Sequence, residues 1–148
     1  MAFFKFENVR IAGMAGGVPS NIVSNAAGIT SSDDYDAQAF IETTGVAERR
    51  ESQTLTTSDM CYAAAEKLIA DLNWKKEEID ILLFVTQTPD YIEPATACIM
   101  QDRLGLSKEC YAEDIALGCS GWVYGLSNVA SLIASGGGQK GSPNGWRW

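Results

Sequence analysis

Histidine is absent from all 148 residues of this chain. That removes imidazole as general base, as proton carrier and as metal ligand. Cysteine is sparse: Cys61, Cys98, Cys110 and Cys119, no two of them in a C-x-x-C pair. Together the two shortages argue against a zinc site, and no metal is expected. Basic residues are also in deficit, 11 Lys and Arg against 19 Asp and Glu, a net charge of −8. That argues against nucleic acid and an anionic membrane surface as generic partners. No apolar run reaches the roughly 20 residues of a membrane span. The first residues, Met-Ala-Phe-Phe-Lys-Phe-Glu-Asn, lack a basic stretch followed by a long apolar one, so no leader is expected. A reduced cytoplasm is the default compartment.

What remains is ordinary for a globular protein: 46% apolar residues and no low-complexity tract. The length suits one domain with a real core. The pattern alternates strand and helix. Val9–Met14 reads as a first strand, broken by Gly16–Ser20, with a polar loop to about Ser32. A short helix is expected over Asp33–Glu42, capped by Ser31, Ser32 or Asp33. Thr43–Arg50 reads as a turn into a solvated charged loop. Thr57, Ser58 and Asp59 cap a helix over Met60–Leu72, with Cys61, Ala64, Leu68 and Leu72 on its core-facing stripe. A charged connection, Trp74–Ile79, leads to Ile81–Thr86, apolar without alternation, as in a strand covered on both faces. Pro94 suits the first turn of a helix over Ala95–Leu104, and Gly105 its C-cap. Tyr111–Leu117 is the next strand and Gly121–Ala134 the next helix. Cys61 and Cys98 are expected in or near the core, and Cys110 in a connection. Such a βαβ order implies an α/β fold, a mostly parallel sheet with helices on both faces, and sites at the C-terminal ends of the strands.

Two such ends stand out, Thr86-Gln87-Thr88 and Gly118-Cys119-Ser120. The second joins a strand to an apolar helix through small residues. This puts Cys119 at a helix N-terminus, where free N–H groups and the helix dipole stabilise a thiolate. Gly118, Ser120 and Gly121 permit a sharp turn and close approach of a substrate. The same turn aims N–H groups at a developing oxyanion. The chemistry is that of a thiol nucleophile for acyl transfer. A buried structural cysteine beside a helix start is the competing reading of the turn alone.

Five motifs in register carry a resemblance. They are Thr44-Gly45-Val46 with Glu48-Arg49; Ile79–Thr86; Thr88-Pro89-Asp90 with Pro94-Ala95; Gln101–Leu106; and Cys119–Leu126. From Val9 to about Lys140 the chain resembles the N-terminal half of β-ketoacyl-acyl carrier protein synthase III, a thiolase-like condensing enzyme. The resemblance implies a thiolase-like α/β fold with Cys119 as the catalytic, acyl-accepting residue. It implies coenzyme A or acyl carrier protein thioesters as substrates, with no tightly bound cofactor. It also implies fatty acid or related acyl-chain biosynthesis, acyl carrier protein as partner, and a homodimer in the cytoplasm.

Three departures qualify that picture. The family's catalytic histidine and asparagine lie in a C-terminal half that this sequence does not contain. Residues 1–140 are therefore expected to be half of a condensing enzyme, with 141–148 an atypical tail of turn composition and the helix after Cys119 in need of cover from elsewhere. Ala39 and Thr43 occupy the places of a tryptophan and an arginine that bind coenzyme A in the family, with Phe40 the nearest aromatic, so a carrier-bound donor is equally open. Glu93 stands where a large apolar residue is usual, in a loop that reaches the neighbouring subunit's acyl pocket in the family. The alternatives to a condensing enzyme are an inactive truncated fragment and a non-condensing acyl transferase of the same fold.

Overall fold

The computed structural model describes residues 4–26 and 36–136. The expected caps Ser31, Ser32 and Asp33 and the tail 141–148 lie outside the described residues. The chain divides into two compact units, one spanning Gly17–Thr56 and the other made of the residues on either side of it.

In the Gly17–Thr56 unit, β1 (Asn21–Ser24) pairs antiparallel with β2 (Glu48–Glu51), Asn21 opposite Glu51 and Ser24 opposite Glu48. Between them runs α1 (Ala37–Thr44). The helix starts later than the sequence suggests because Asp36 is the cap: its carboxylate accepts the N–H groups of Gln38 (2.9 Å) and Ala39 (3.0 Å). Gly45, with φ 74°, closes it in the left-handed conformation that glycine adopts freely. The expected solvated loop over Thr43–Arg50 is corrected here, since its second half is β2. The strand escapes a pattern search because its four residues, Glu-Arg-Arg-Glu, carry no apolar alternation. Its ladder is reinforced by polar contacts. Buried Asn25 donates to the Val46 carbonyl (2.8 Å) and accepts from Arg49, and Arg50 donates to the Ser20 carbonyl (3.0 Å).

In the other unit, α2 (Thr57–Asp71) begins at Thr57, so Thr57, Ser58 and Asp59 form its first turn. A 3₁₀ turn, Lys76–Glu78, leads into β3 (Ile81–Val85). Next come α3 (Thr96–Leu104), β4 (Tyr111–Ile115) and α4 (Gly121–Ala134). β3 and β4 are parallel, Ile81 opposite Tyr111 and Val85 opposite Ile115, and α3 is their crossover. Gly105, with φ 67°, ends α3. The helix starts at Thr96 behind Ala95, so Pro94 precedes its cap.

Strand alternation sorts the core. Ile81 and Leu83 pack with Val129, Ile133 and Leu132 of α4, and Leu82 packs with Met100 and Leu104 of α3 and with Leu106 and Cys110. Helices therefore cover both faces of the parallel pair, as the non-alternating Ile-Leu-Leu-Phe-Val run requires.

Three expectations are corrected in this unit. Among the described residues Val9–Met14 forms no ladder. Val9 packs on the Ile81–Val129–Ile133 cluster, but apolar content without a partner backbone does not make a strand. The buried side of α2 is wider than expected: Tyr62, Ala65 and Ile69 pack on the Met100–Leu104 cluster, Leu68 and Leu72 are half-buried beside Gly13, and of the expected stripe Cys61 alone is exposed. Cys61 and Cys98 are exposed, and Cys110 is the buried cysteine.

Candidate active site

β4 delivers the cysteine turn. The Thr86 N–H donates to the Ile115 carbonyl (3.0 Å), which holds the end of β4 against the start of the loop after β3. The Leu117 N–H turns back onto the same carbonyl (3.1 Å), and the Gly121 N–H closes the Gly118-Cys119-Ser120 turn on Gly118 (2.8 Å). Ser120, at φ −70° and ψ −17°, is already helical, and its carbonyl accepts from both Val123 and Tyr124 at 3.1 Å.

Cys119 is exposed at this turn. The cap residue Ser120 makes no side-chain capping bond, and the first turn of α4 has no acidic residue. The positive end of the helix is therefore left for whatever sits at the turn. α4 comes close to the sheet through two glycines. A Cβ on Gly121 would stand 2.6 Å from Val85 Cγ1, and one on Gly125 2.9 Å from Val85 Cγ2. Of the three small residues at the turn, Gly121 is thus needed for helix packing.

The two strand ends meet, as α/β topology dictates. A Cβ on Gly118 would lie 3.0 Å from Gln87 Oε1, so the Gln87 amide lies beside the cysteine turn. The loop that carries Gln87 is built from hydroxyls. Thr88 Oγ1 lies 3.0 Å from Thr57 Oγ1 and 3.2 Å from Thr86 Oγ1. The Ser58 hydroxyl donates to the Asp90 carboxylate, and the Asp90 N–H donates to Thr96 Oγ1 (3.1 Å). Further along this loop Tyr91, Ile92 and Glu93 are exposed.

Sequence reasoning passed over Asp114. From the middle of β4 its carboxylate accepts the first N–H groups of α3, Thr96 at 2.7 Å and Ala97 at 2.6 Å. The available signal was a carboxylate inside an apolar strand run, which demands a partner. Cys110 contrasts with Cys119. Burial, with the charge of Asp80 adding to it, pushes the Cys110 thiol up to about 11, and it is no nucleophile.

Among the described residues no group of His, Cys, Asp and Glu could hold a metal ion, and no helix is long and apolar enough to cross a membrane. Ala39 and Thr43 are exposed on α1, Phe40 is half-buried, and the Thr44–Arg49 motif spans the end of α1 and the start of β2.

No family model matches the chain. It is 39% identical over 132 residues to β-ketoacyl-[acyl-carrier-protein] synthase III of Thiobacillus denitrificans, covering 88% of this chain and 41% of that protein. It is 38% identical over 138 residues to the synthase III of Bacillus pumilus, 87% of this chain and 41% of the relative. A solved 3-oxoacyl-(acyl-carrier protein) synthase from Burkholderia xenovorans superposes with a TM-score of 0.82 at 39% identity, over 88% of this chain and 38% of that one. The chain spans about two fifths of the length of the curated relatives it matches. It is similar to the N-terminal half of synthase III, and its α/β fold is thiolase-like, as the five motifs imply.

Proposed function

We propose that this chain supplies the acyl-accepting half of a condensing acyltransferase of the synthase III type, with Cys119 as nucleophile. The observation that carries the reading is the exposed Cys119 on a tight turn between β4 and α4, beside Gln87 at the end of β3. In the first step the Cys119 thiolate attacks the carbonyl carbon of an acyl thioester. N–H groups at the start of α4 stabilise the oxyanion, and the C–S bond to the donor breaks. The donor thiolate leaves and takes a proton from solvent. The donor is a coenzyme A or acyl carrier protein thioester, and the carrier is the macromolecular partner. The pathway is fatty acid or related acyl-chain synthesis in the cytoplasm, by a homodimer.

In the second step the C–C bond to the carboxylate of a malonyl carrier thioester breaks and carbon dioxide leaves. The electron pair on the α-carbon attacks the acyl-Cys119 carbonyl, and the Cys119 thiolate departs, leaving a β-ketoacyl carrier. This step needs the histidine and asparagine of the other half, because this chain has no histidine. Residues 1–140 accordingly carry the acylation step and condense only when a complementary half is present.

The test is mass spectrometry of the intact protein after mixing with a short-chain acyl-coenzyme A, with Cys119→Ala as control. A malonyl thioester and a C-terminal half taken from a synthase III relative are then added. An adduct on Cys119, followed by carbon dioxide release that depends on the added half, supports the reading. An adduct that passes to an alcohol or amine with no carbon dioxide points to a non-condensing transferase. No adduct under any condition leaves an inactive fragment.

A further inference from the structure

One carboxylate on the strand that leads to the cysteine turn is spent on a neighbouring helix. Asp114 sits on β4 opposite Phe84, and both its oxygens are used on α3, Oδ2 by the Thr96 N–H and Oδ1 by the Ala97 N–H. Thr96 and Ala97 are completely buried, so water does not stand in for these bonds. The helix has no cap of its own, because its N-cap residue is Ala95. Asp114 thus caps α3 from a neighbouring strand, with its negative charge at the positive end of the helix.

The same first turn of α3 also anchors the loop after β3. Thr96 Oγ1 accepts the Asp90 N–H, and the Asp90 carboxylate accepts from Ser58 of α2. Beyond Asp114 the Ile115 carbonyl, which accepts from both the Thr86 and the Leu117 N–H, joins the strand to the turn that carries Cys119. Both loops that meet at the site, 86–94 and 118–120, are therefore referenced to the first turn of α3, one through Asp90 and the other through Asp114.

We propose that Asp114 is a positioning residue for Cys119: by capping α3 from within β4 it fixes where the cysteine turn begins relative to the loop after β3. The inference rests on the reading of Cys119 as nucleophile. Asparagine is a sharp probe at this position. Its oxygen can still accept one of the two N–H groups, but its NH2 faces the other, a donor against a donor.

The experiment measures iodoacetamide alkylation of Cys119, Cys98 and Cys61 in the same folded molecules, by peptide mass spectrometry, for wild type and Asp114→Asn. Acylation of Cys119 by an acyl-coenzyme A is followed in parallel. Cys61 on α2 gauges global loosening, and Cys98 near the start of α3 gauges fraying of that helix. The expected result is a roughly tenfold fall in the Cys119 rate relative to Cys61, less than the roughly hundredfold that a full 1 Å misplacement can cost at a reacting atom. The maximal acylation rate falls with it, while the half-saturating thioester concentration is unchanged. If Cys98 speeds up and the Cys119 to Cys61 ratio stays within about twofold, Asp114 is merely a helix cap and the proposal is overturned. If Asp114→Asn does not fold, Asp114→Glu, which keeps the charge and displaces it by one methylene, is read in the same way. Wild-type Cys119 that takes iodoacetamide but no acyl group would refute the acyl-accepting role, while the alkylation ratio would still decide the positioning role.

Discussion

Gly121 of α4 lies against Val85 of β3 so closely that a Cβ on the glycine would stand 2.6 Å from Val85 Cγ1 and 3.1 Å from Leu117 Cβ. Real Cβ atoms do not approach so near, and a β-branched valine has restricted rotamer freedom with which to yield. Alanine at position 121 gains helix propensity of up to about 1 kcal/mol. Against that stands overpacking, which costs roughly 1–3 kcal/mol. Gly121→Ala is expected to be net destabilising by about 1–2 kcal/mol in urea unfolding. Val85→Ala in the same chain should recover most of the loss, since it removes the methyl groups in the way. An additive double mutant would show that the two residues do not meet.

The same turn shows what can be read from a sequence. Cys119, the strand before it and the helix over Gly121–Ala134 follow from an apolar run, a cluster of small residues and a second apolar run, all local signals. β3 is equally local, because a strand covered on both faces needs no alternation. The buried side of α2 is only partly legible because an Ala-rich helix offers neighbouring stripes: Leu68 and Leu72 follow from the spacing, while Tyr62, Ala65 and Ile69 are set by packing on the Met100–Leu104 cluster and Cys61 is left exposed. β2 was invisible because its stability lies in backbone pairing with β1 and in the polar contacts of Asn25, with no apolar face to announce it. The role of Asp114 depends on α3 folding back against β4, a tertiary fact that spacing does not encode.

The four cysteines should separate cleanly in a labelling experiment. Cys119, Cys61 and Cys98 are exposed and Cys110 is buried. At pH 8 iodoacetamide is expected to modify Cys119 first, Cys61 and Cys98 more slowly, and Cys110 only after the protein is unfolded in guanidinium. If Cys61 or Cys98 outpaces Cys119, the nucleophile has been assigned to the wrong residue.

Cys110 also predicts how stability depends on alkali. Its folded-state value of about 11 lies above the ordinary 9.0 of a thiol. In the range between the two, the unfolded chain releases the proton while the folded chain keeps it. The contribution is therefore fully present below pH 9 and is lost as pH rises toward 11. Urea-unfolding free energies should fall by roughly 1–2 kcal/mol over that range. Cys110→Ala lowers stability at every pH by leaving a cavity, but it should flatten the slope between pH 9 and 11. An unchanged slope would assign the alkaline loss to other groups.

Arg103 joins α3 to α2 in three ways. Its Nη2 donates to Asp59 (2.9 Å), its Nη1 reaches Ser58 Oγ (3.5 Å), and its Cζ stands 4.7 Å from the centre of the Tyr62 ring. Lysine offers a point charge and cannot serve a carboxylate, a hydroxyl and a ring face together. Arg103→Lys should cost about 0.5–1 kcal/mol, a modest figure because the pair is partly solvated. Tyr62→Leu should cost less when combined with Arg103→Lys than in wild type. Equal costs in the two backgrounds would mean that the ring contact contributes nothing.

Gly118 gives the opposite expectation from Gly121, although both are glycines of one turn. The three atoms nearest a Cβ at position 118 would all belong to the Gln87 side chain, with Oε1 at 3.0 Å, Cδ at 3.2 Å and Nε2 at 3.3 Å. Gln87 is exposed and its end can rotate away, so the clash is relieved at little cost. Gly118→Ala should change unfolding free energy by less than about 0.5 kcal/mol, the usual range for a surface substitution. Its effect should fall on the site, because the amide that moves is the one beside the cysteine turn. The acylation rate of Cys119 is expected to change in Gly118→Ala, and a further Gln87→Ala should add little, since the first substitution has already displaced the amide. If Gly118→Ala is as destabilising as Gly121→Ala, then Gln87 is held more firmly than its exposure implies, and the loop after β3 is a rigid wall of the site.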